Sequence, residues 1–229
     1  MNILRKIQKL LRWVVILFFG SSILGVVIYK WCPVYVTPLM LIRCAQQVGH
    51  GQQIRLKHHW VPLDSMSIYL PVAVMASEDQ RYLDHNGFDF IEINKTLEER
   101  RSGKRFRGGS TISQQTAKNV FLWPQQSWLR KGLEAYFTVL IEFVWGKERI
   151  MEVYLNSIEM GDGIYGAEAV ANQHFGYSAR LLTRPNCALI AATLPNPLKY
   201  SSKQPSSYML KRQTAIMGQM RHIDVFPRK

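Results

Sequence analysis

Cysteine is scarce in this chain of 229 residues, and the three present, Cys32, Cys44 and Cys187, are odd in number with no CxxC or histidine-rich spacing around them. A disulfide framework and a structural zinc site are therefore excluded, leaving a Cys32–Cys44 bridge as the one local pairing. Strand-like alternation of useful length is missing, and so is any internal repeat, which points to a mainly helical protein. Acidic residues are absent from the first stretch altogether: Arg5, Lys6, Lys9 and Arg12 stand unopposed before "WVVILFFGSSILGVVIY" (13–29), a run without a single charge.

With Leu10 and Leu11 that run approaches the roughly 20 apolar residues needed to cross a hydrocarbon core. It exceeds the usual apolar region of a signal peptide, and no A-x-A-like cleavage site comes after Tyr29, so it reads as an uncleaved anchor. The flanking cations place the N-terminus in the cytoplasm and send the chain beyond Lys30 across the membrane. The expected organisation is a basic tail over 1–12, a transmembrane helix over 13–30, a proline-bearing juxtamembrane connection over 31–70 and one folded domain over 71–229.

The formal charge is +13, and +9 remains once the four N-terminal cations are set aside. Such a surface suits anionic headgroups or lipid phosphates. Nucleic acid, the other usual partner of basic charge, is seldom met by a domain tethered outside the cytoplasm, and no nucleic-acid partner is expected.

Within the domain, Pro71 is a natural first helical residue, and "PVAVMASEDQRYLDH" (71–85) places Val72, Met75, Ala76, Tyr82 and Leu83 on one arc. Glu78 falls at the edge of that arc and Asp79 inside it. "LEERRSGKRFRGG" (97–109), dense in charge and glycine, reads as a mobile surface loop. Ser127 caps a helix running to about Trp145, where Gly146 interrupts before "KERIMEVYLNSI" resumes. On the first of these, Glu134 lies in the apolar arc, with Arg130 and Lys131 one turn back. A buried acid must be paired or used, and a salt bridge that only ties down the helix start is the plain alternative. "CALIAATLPNPLKY" is an apolar helix stopped by Pro195 and Pro197.

"GGSTISQQTAKN" (108–119) fits neither helix nor strand by its apolar pattern. It offers backbone N–H groups at Gly108 and Gly109, hydroxyls at Ser110, Thr111 and Ser113, amides at Gln114 and Gln115 and the Lys118 cation, the donors a phosphate would want. It is not a P-loop, since Lys118 is followed by Asn119 and lies nine residues past Gly109. Glu78 and Glu134, two separated carboxylates, suit the division of acid/base labour found in glycosyl chemistry.

Together "EDQRYLDHNGFD" (78–89), "GGSTISQQTAKN", "RKGLE" (130–134), "KERIMEVYLNSIEMGDGIYGAEAVANQHF" (147–175) and "ALIAATLPNPLKY" (188–200) resemble the ordered motif set of the peptidoglycan glycosyltransferase family in its single-domain form. The resemblance implies a lysozyme-like helical lobe beside a smaller membrane-facing lobe. It also implies a bacterial inner-membrane enzyme, its catalytic domain periplasmic, that joins lipid-linked disaccharide-pentapeptide (lipid II) to a growing lipid-linked glycan strand. The β-1,4 linkage forms with inversion, and undecaprenyl diphosphate leaves. A lysozyme-like hydrolase or lytic transglycosylase is the alternative.

By the same resemblance Glu78 is the general base, although the helical wheel alone prefers Asp79 as the inward group. Glu134 stabilises the departing diphosphate directly or through a divalent cation such as magnesium. Lys118, Arg130 and Lys131 offset the diphosphate charge, while Ser110, Thr111 and Gln114 shape the donor site, with Asp79, His85, Gly109 and Asn119 as further substrate-binding positions. Cell-division or elongation proteins are the expected recruiting partners. Two positions depart from the family pattern: Tyr82 stands where phenylalanine is usual, and Gln126 where arginine is common, which removes one expected diphosphate contact. Neither S-x-x-K nor KTG occurs, so peptide cross-linking is expected to fall to another protein.

Overall fold

The computed structural model describes residues 2–102 and 109–227, and Gly108 and the segment 103–107 lie outside them. The chain divides into two compact units, Met1–Pro33 and Val34–Lys229. The first is helix α1 (Asn2–Tyr29), whose stretch Arg5–Tyr29 is long and apolar enough to cross a membrane.

The second unit is mainly helical. It opens with α2 (Pro38–Gly49), capped by the Thr37 hydroxyl accepting from the Met40 N–H and started by Pro38. Residues 34–70 are thus built into the domain rather than strung out before it. No disulfide joins Cys32, Cys44 or Cys187. Three very short strands, β1 (Lys57–His58), β2 (Glu159–Gly161) and β3 (Ile164–Tyr165), form a sheet in the order β1-β3-β2, parallel then antiparallel. At two or three residues each, they carry too few positions for alternation to register in the sequence.

The remaining helices are α3 (Tyr69–Glu78), α4 (Phe90–Arg101), α5 (Ile112–Phe121), α6 (Trp128–Val144), α7 (Gly146–Ser157), the single turn α8 (Ala167–Val170), α9 (Arg184–Thr193) and α10 (Ser207–Gln219). They pack as two sets of three, α3 with α9 and α10, and α5 with α6 and α7. In the first set every residue from Leu70 to Ala76 is buried, so α3 is a core helix on all sides. Truncating a side chain such as Met75 there is expected to cost about 2–5 kcal/mol.

Three boundaries differ from the sequence reading. The helix expected over 71–85 ends at Glu78, because the Asp79 side chain turns to accept from the Ile112 N–H and from His85. Part of the expected loop, Leu97 to Arg101, belongs to α4, which Asp89 starts by accepting from the Ile91 and Glu92 N–H groups. Most of the polar stretch 108–119 is helix: Thr111 and Gln114 form a capping box, each side chain accepting from the other's backbone N–H. Its polar side chains are satisfied locally, Thr116 donating to the Ile112 carbonyl and Ser113 to Glu142. Tyr82 is wholly buried, and its hydroxyl donates to the Lys147 carbonyl at 2.9 Å, so the extra oxygen has a partner.

Candidate active site

Glu78 is the last residue of α3, half-buried, with each carboxylate oxygen served by a neutral donor. Ser77 Oγ donates to Oε1 at 3.0 Å and Gln115 Nε2 donates to Oε2 at 3.2 Å. Burial pushes the Glu78 carboxyl above its ordinary value, and these two hydrogen bonds together with the Arg212 charge only partly offset that. A carboxylate in this condition accepts a proton more readily than one in water.

Asp79, its neighbour, is 7% exposed and committed to the fold. Its oxygens accept from His85 Nε2 at 3.0 and 3.2 Å and from the Ile112 N–H at 3.0 Å. The brace joins the end of α3 to the start of α5 and thereby fixes Glu78 against Gln115. Asp79, His85 and Asp89 bring oxygen and nitrogen atoms within 4.8 Å of one another. Asp79 is saturated by these bonds, and Asp89 caps α4 with Arg81 3.7 Å away, so the group is a hydrogen-bonded strut. Gly87 completes the corner: its φ is +87°, a Cβ there would sit 2.7 Å from Thr138 Cγ2, and its carbonyl accepts from Thr111 Oγ1 at 2.6 Å.

Glu134, on α6, is 3% exposed and doubly paired, with Arg130 Nη1 at 2.7 Å from Oε2 and Lys131 Nζ at 2.5 Å from Oε1. Both oxygens face cations, which leaves no carboxylate edge of Glu134 open to a divalent cation in this arrangement. The residues therefore do not fit a metal held by Glu134.

Lys118 links the two acids. It lies one turn after Gln115 on α5, and its ammonium has no ion-pair or hydrogen-bond partner among the described residues. Burial lowers its pKa; the charges of Glu134 and Glu78 raise it, while Arg130 and Lys131 lower it further. A largely desolvated cation in the field of both carboxylates is a place for a ligand anion.

Three cavities, of about 250, 530 and 370 Å³, adjoin along this line. The first is walled by Lys118, Asn119, Arg43 and the apolar Leu122, Trp123 and Leu194, and it meets the second at Gln115 and Pro195. The second holds Glu78, Ser110 and Arg212; the third holds Glu78, Gly109, Ser110 and Thr111. Glu78 thus opens onto two of the cavities, Lys118 onto the other, and Gln115 stands between.

Of the residues singled out from the sequence, Glu78, Asp79, Gly109, Ser110, Thr111, Lys118 and Asn119 line this cleft. Gln114 does not: its amide is spent in the capping box, and it is Gln115, one position on, that reaches Glu78. Arg130, Lys131 and Glu134 form a cluster beside Lys118, and Gln126 is exposed. Sequence reasoning passes over Arg212, whose Nη2 donates to Ser77 Oγ at 3.3 Å and whose buried Nε has no partner among the described residues. It also passes over Tyr154, whose hydroxyl donates to Gln115 Oε1 at 3.1 Å. Neither has a local signal, since they meet the site across 135 and 39 residues of chain.

A mainly helical domain in a chain with an apolar N-terminal helix, with a carboxylate of raised pKa and a half-buried cation along one cleft, suits an enzyme of glycosyl transfer. The chain belongs to the transglycosylase family: the model of that family, described as "Transglycosylase", matches residues 46–221. It is similar to a "Biosynthetic peptidoglycan transglycosylase" of Bacteroides thetaiotaomicron, 58% identical over 224 residues that cover 98% of this chain and 90% of the relative. Proteins of the same description from Bdellovibrio bacteriovorus and Caulobacter vibrioides are 49% and 50% identical over 216 residues, 93% of this chain and 86% and 92% of theirs.

Proposed function

We propose that this protein is a peptidoglycan glycosyltransferase that polymerises lipid II into β-1,4 glycan strands with inversion, releasing undecaprenyl diphosphate. α1 anchors it in the bacterial inner membrane, N-terminus in the cytoplasm and the domain in the periplasm, so that enzyme and lipid-linked substrates share one surface. The observation that carries the reading is the pairing of Glu78, a carboxylate hydrogen-bonded only by neutral donors, with Lys118, a half-buried cation without a partner among the described residues.

In the mechanism, Glu78 accepts the proton of the GlcNAc 4-hydroxyl of the incoming lipid II. The freed oxygen attacks the anomeric carbon of the lipid-linked MurNAc at the end of the growing strand. As the new C–O bond forms, the bond to the diphosphate breaks on the opposite face, which inverts the anomeric centre. The electron pair leaves with the diphosphate, and Lys118 meets that charge, with the cations at Arg130 and Lys131 behind it. Glu134 holds those two cations in place and keeps them from collapsing onto the fold elsewhere. Asp79 and His85 act through the corner they brace, and Gly109, Ser110, Thr111 and Asn119 shape the walls.

A hydrolytic reading is less well supported. An inverting or retaining hydrolase needs a second carboxyl free to exchange a proton or to act as nucleophile. Glu134, clamped by two cations, is neither.

The test is polymerisation of lipid II by the full-length protein in detergent, read as glycan strands on a gel. Strand formation is expected; degradation of preformed glycan without lipid-linked substrate would instead establish the hydrolase. Recruitment by cell-division or elongation proteins belongs to the same proposal and is checked by co-purification from membranes.

A further inference from the structure

Glu78 accepts from Gln115 of α5, and the far end of that amide meets a group that has no part in the mechanism above. Tyr154 of α7 is wholly buried, yet its hydroxyl is aimed at the site, donating to Gln115 Oε1 at 3.1 Å. The other end of that amide donates to Glu78 Oε2 at 3.2 Å.

A glutamine amide has two unlike edges, a carbonyl that accepts and an NH2 that donates. With the NH2 edge toward Glu78 it favours the carboxylate; turned over, it sets one lone-pair oxygen against another. A phenol that donates to the carbonyl edge disfavours the second choice, because a flipped amide would leave the buried hydroxyl proton without its acceptor. Tyr154 serves this purpose as a neutral group: burial pushes its pKa far above the ordinary tyrosine value, so it stays a donor at every working pH.

We propose that Tyr154 is a positioning residue that acts through Gln115, its hydroxyl fixing the amide so that the NH2 edge always faces Glu78. The relay Tyr154–Gln115–Glu78 crosses from α7 through α5 to α3, tying the two helix sets together at the base. The inference rests on the assignment of Glu78 as that base.

The charged and titratable groups around Glu78 are Arg212 of α10, Asp79 at the end of α3, Lys118 of α5 and Tyr154 itself. Tyr154→Phe leaves the first three unchanged and removes one oxygen. With the amide unlocked, the anion of Glu78 loses part of its support, and its titration moves to higher pH. Activity is lost as pH falls through that value, so the acid limb of the pH–rate profile moves up as well. The expected loss in kcat below the limb is about three- to tenfold, the worth of one hydrogen bond, with KM for lipid II little changed.

The experiment uses full-length protein in detergent, labelled with 13C at glutamate side chains. The Glu78 signal is assigned by its loss in Glu78→Gln, and its midpoint is compared between wild type and Tyr154→Phe, beside pH–rate profiles on lipid II. Gln115→Met, which can bond to neither neighbour, supplies the second variant and covers a failure of Tyr154→Phe to fold. The relay predicts that both substitutions raise the Glu78 midpoint and that combining them adds little further. A midpoint unmoved in Tyr154→Phe, or unmoved in Gln115→Met where only that variant folds, overturns it. Wild type that makes no polymer while the midpoint still moves would remove the proposed reaction and leave the relay standing. Polymer formation with unmoved midpoints would do the reverse.

Discussion

Glu78 and Glu134 are both acids largely withdrawn from water on helices of one domain, but their surroundings differ in kind. Glu78 is met by an amide and a hydroxyl, donors without charge, and burial raises its pKa. Glu134 is met by a guanidinium and an ammonium within 2.7 Å and 2.5 Å. Neutral donors hold a carboxylate in place without setting a full positive charge against it, whereas a guanidinium and an ammonium tie both of its oxygens into ion pairs. The difference underlies the proposed division, in which Glu78 takes the proton and Glu134 holds two cations in place.

The comparison is broken most sharply at Glu78. Glu78→Gln keeps the shape but cannot take a proton, so polymerisation should fall by about 10³-fold, with lipid II binding retained. Glu134→Gln should act differently, lowering stability together with activity. It strips the buried Arg130 of its partner, at a cost of about 3–5 kcal/mol, which thermal unfolding followed by circular dichroism would report. Equal stability losses in the two variants would erase the distinction drawn between them.

Lys118→Met tests the cation that lies in the field of both acids. Losing one preorganised positive group opposite a leaving anion should cost about 100-fold in kcat. A smaller effect is expected at the helix start that carries Gln115 into place: Thr111→Ala removes the capping box and should cost about 1 kcal/mol of stability. The smallest effect has the opposite sign. Because the folded-state pKa of Glu78 is raised, its ionisation opposes folding, and stability falls as pH rises from the unfolded value through the folded one. Glu78→Gln should therefore melt slightly higher than wild type at neutral pH, and at the same temperature in acid.

Much of this was legible in the sequence where the signal is local. The apolar anchor, the Ser127 cap, the break at Gly146 and the placement of Glu134 with Arg130 and Lys131 follow from spacing alone. The polar stretch 108–119 reads as non-helical by its apolar pattern although it carries its own start signal, the Thr-x-x-Gln of a capping box at 111–114. Missing that signal hides which glutamine faces Glu78, since a capping box consumes Gln114 and leaves Gln115 to reach it. The end of α3 is equally hidden: the apolar arc continues through Tyr82, and only the pull of Ile112 and His85 on Asp79 ends the helix. Arg212 and Tyr154 are out of reach, because nothing near either of them in sequence announces a partner more than 35 residues away.

The most direct test of the division between the two acids is single-turnover polymerisation of lipid II by wild type, Glu78→Gln and Glu134→Gln across pH. Wild type and Glu134→Gln should share an acid limb at the same pH, differing in height, while Glu78→Gln shows no limb and almost no rate. An acid limb that survives in Glu78→Gln, or one that vanishes in Glu134→Gln, would contradict the account.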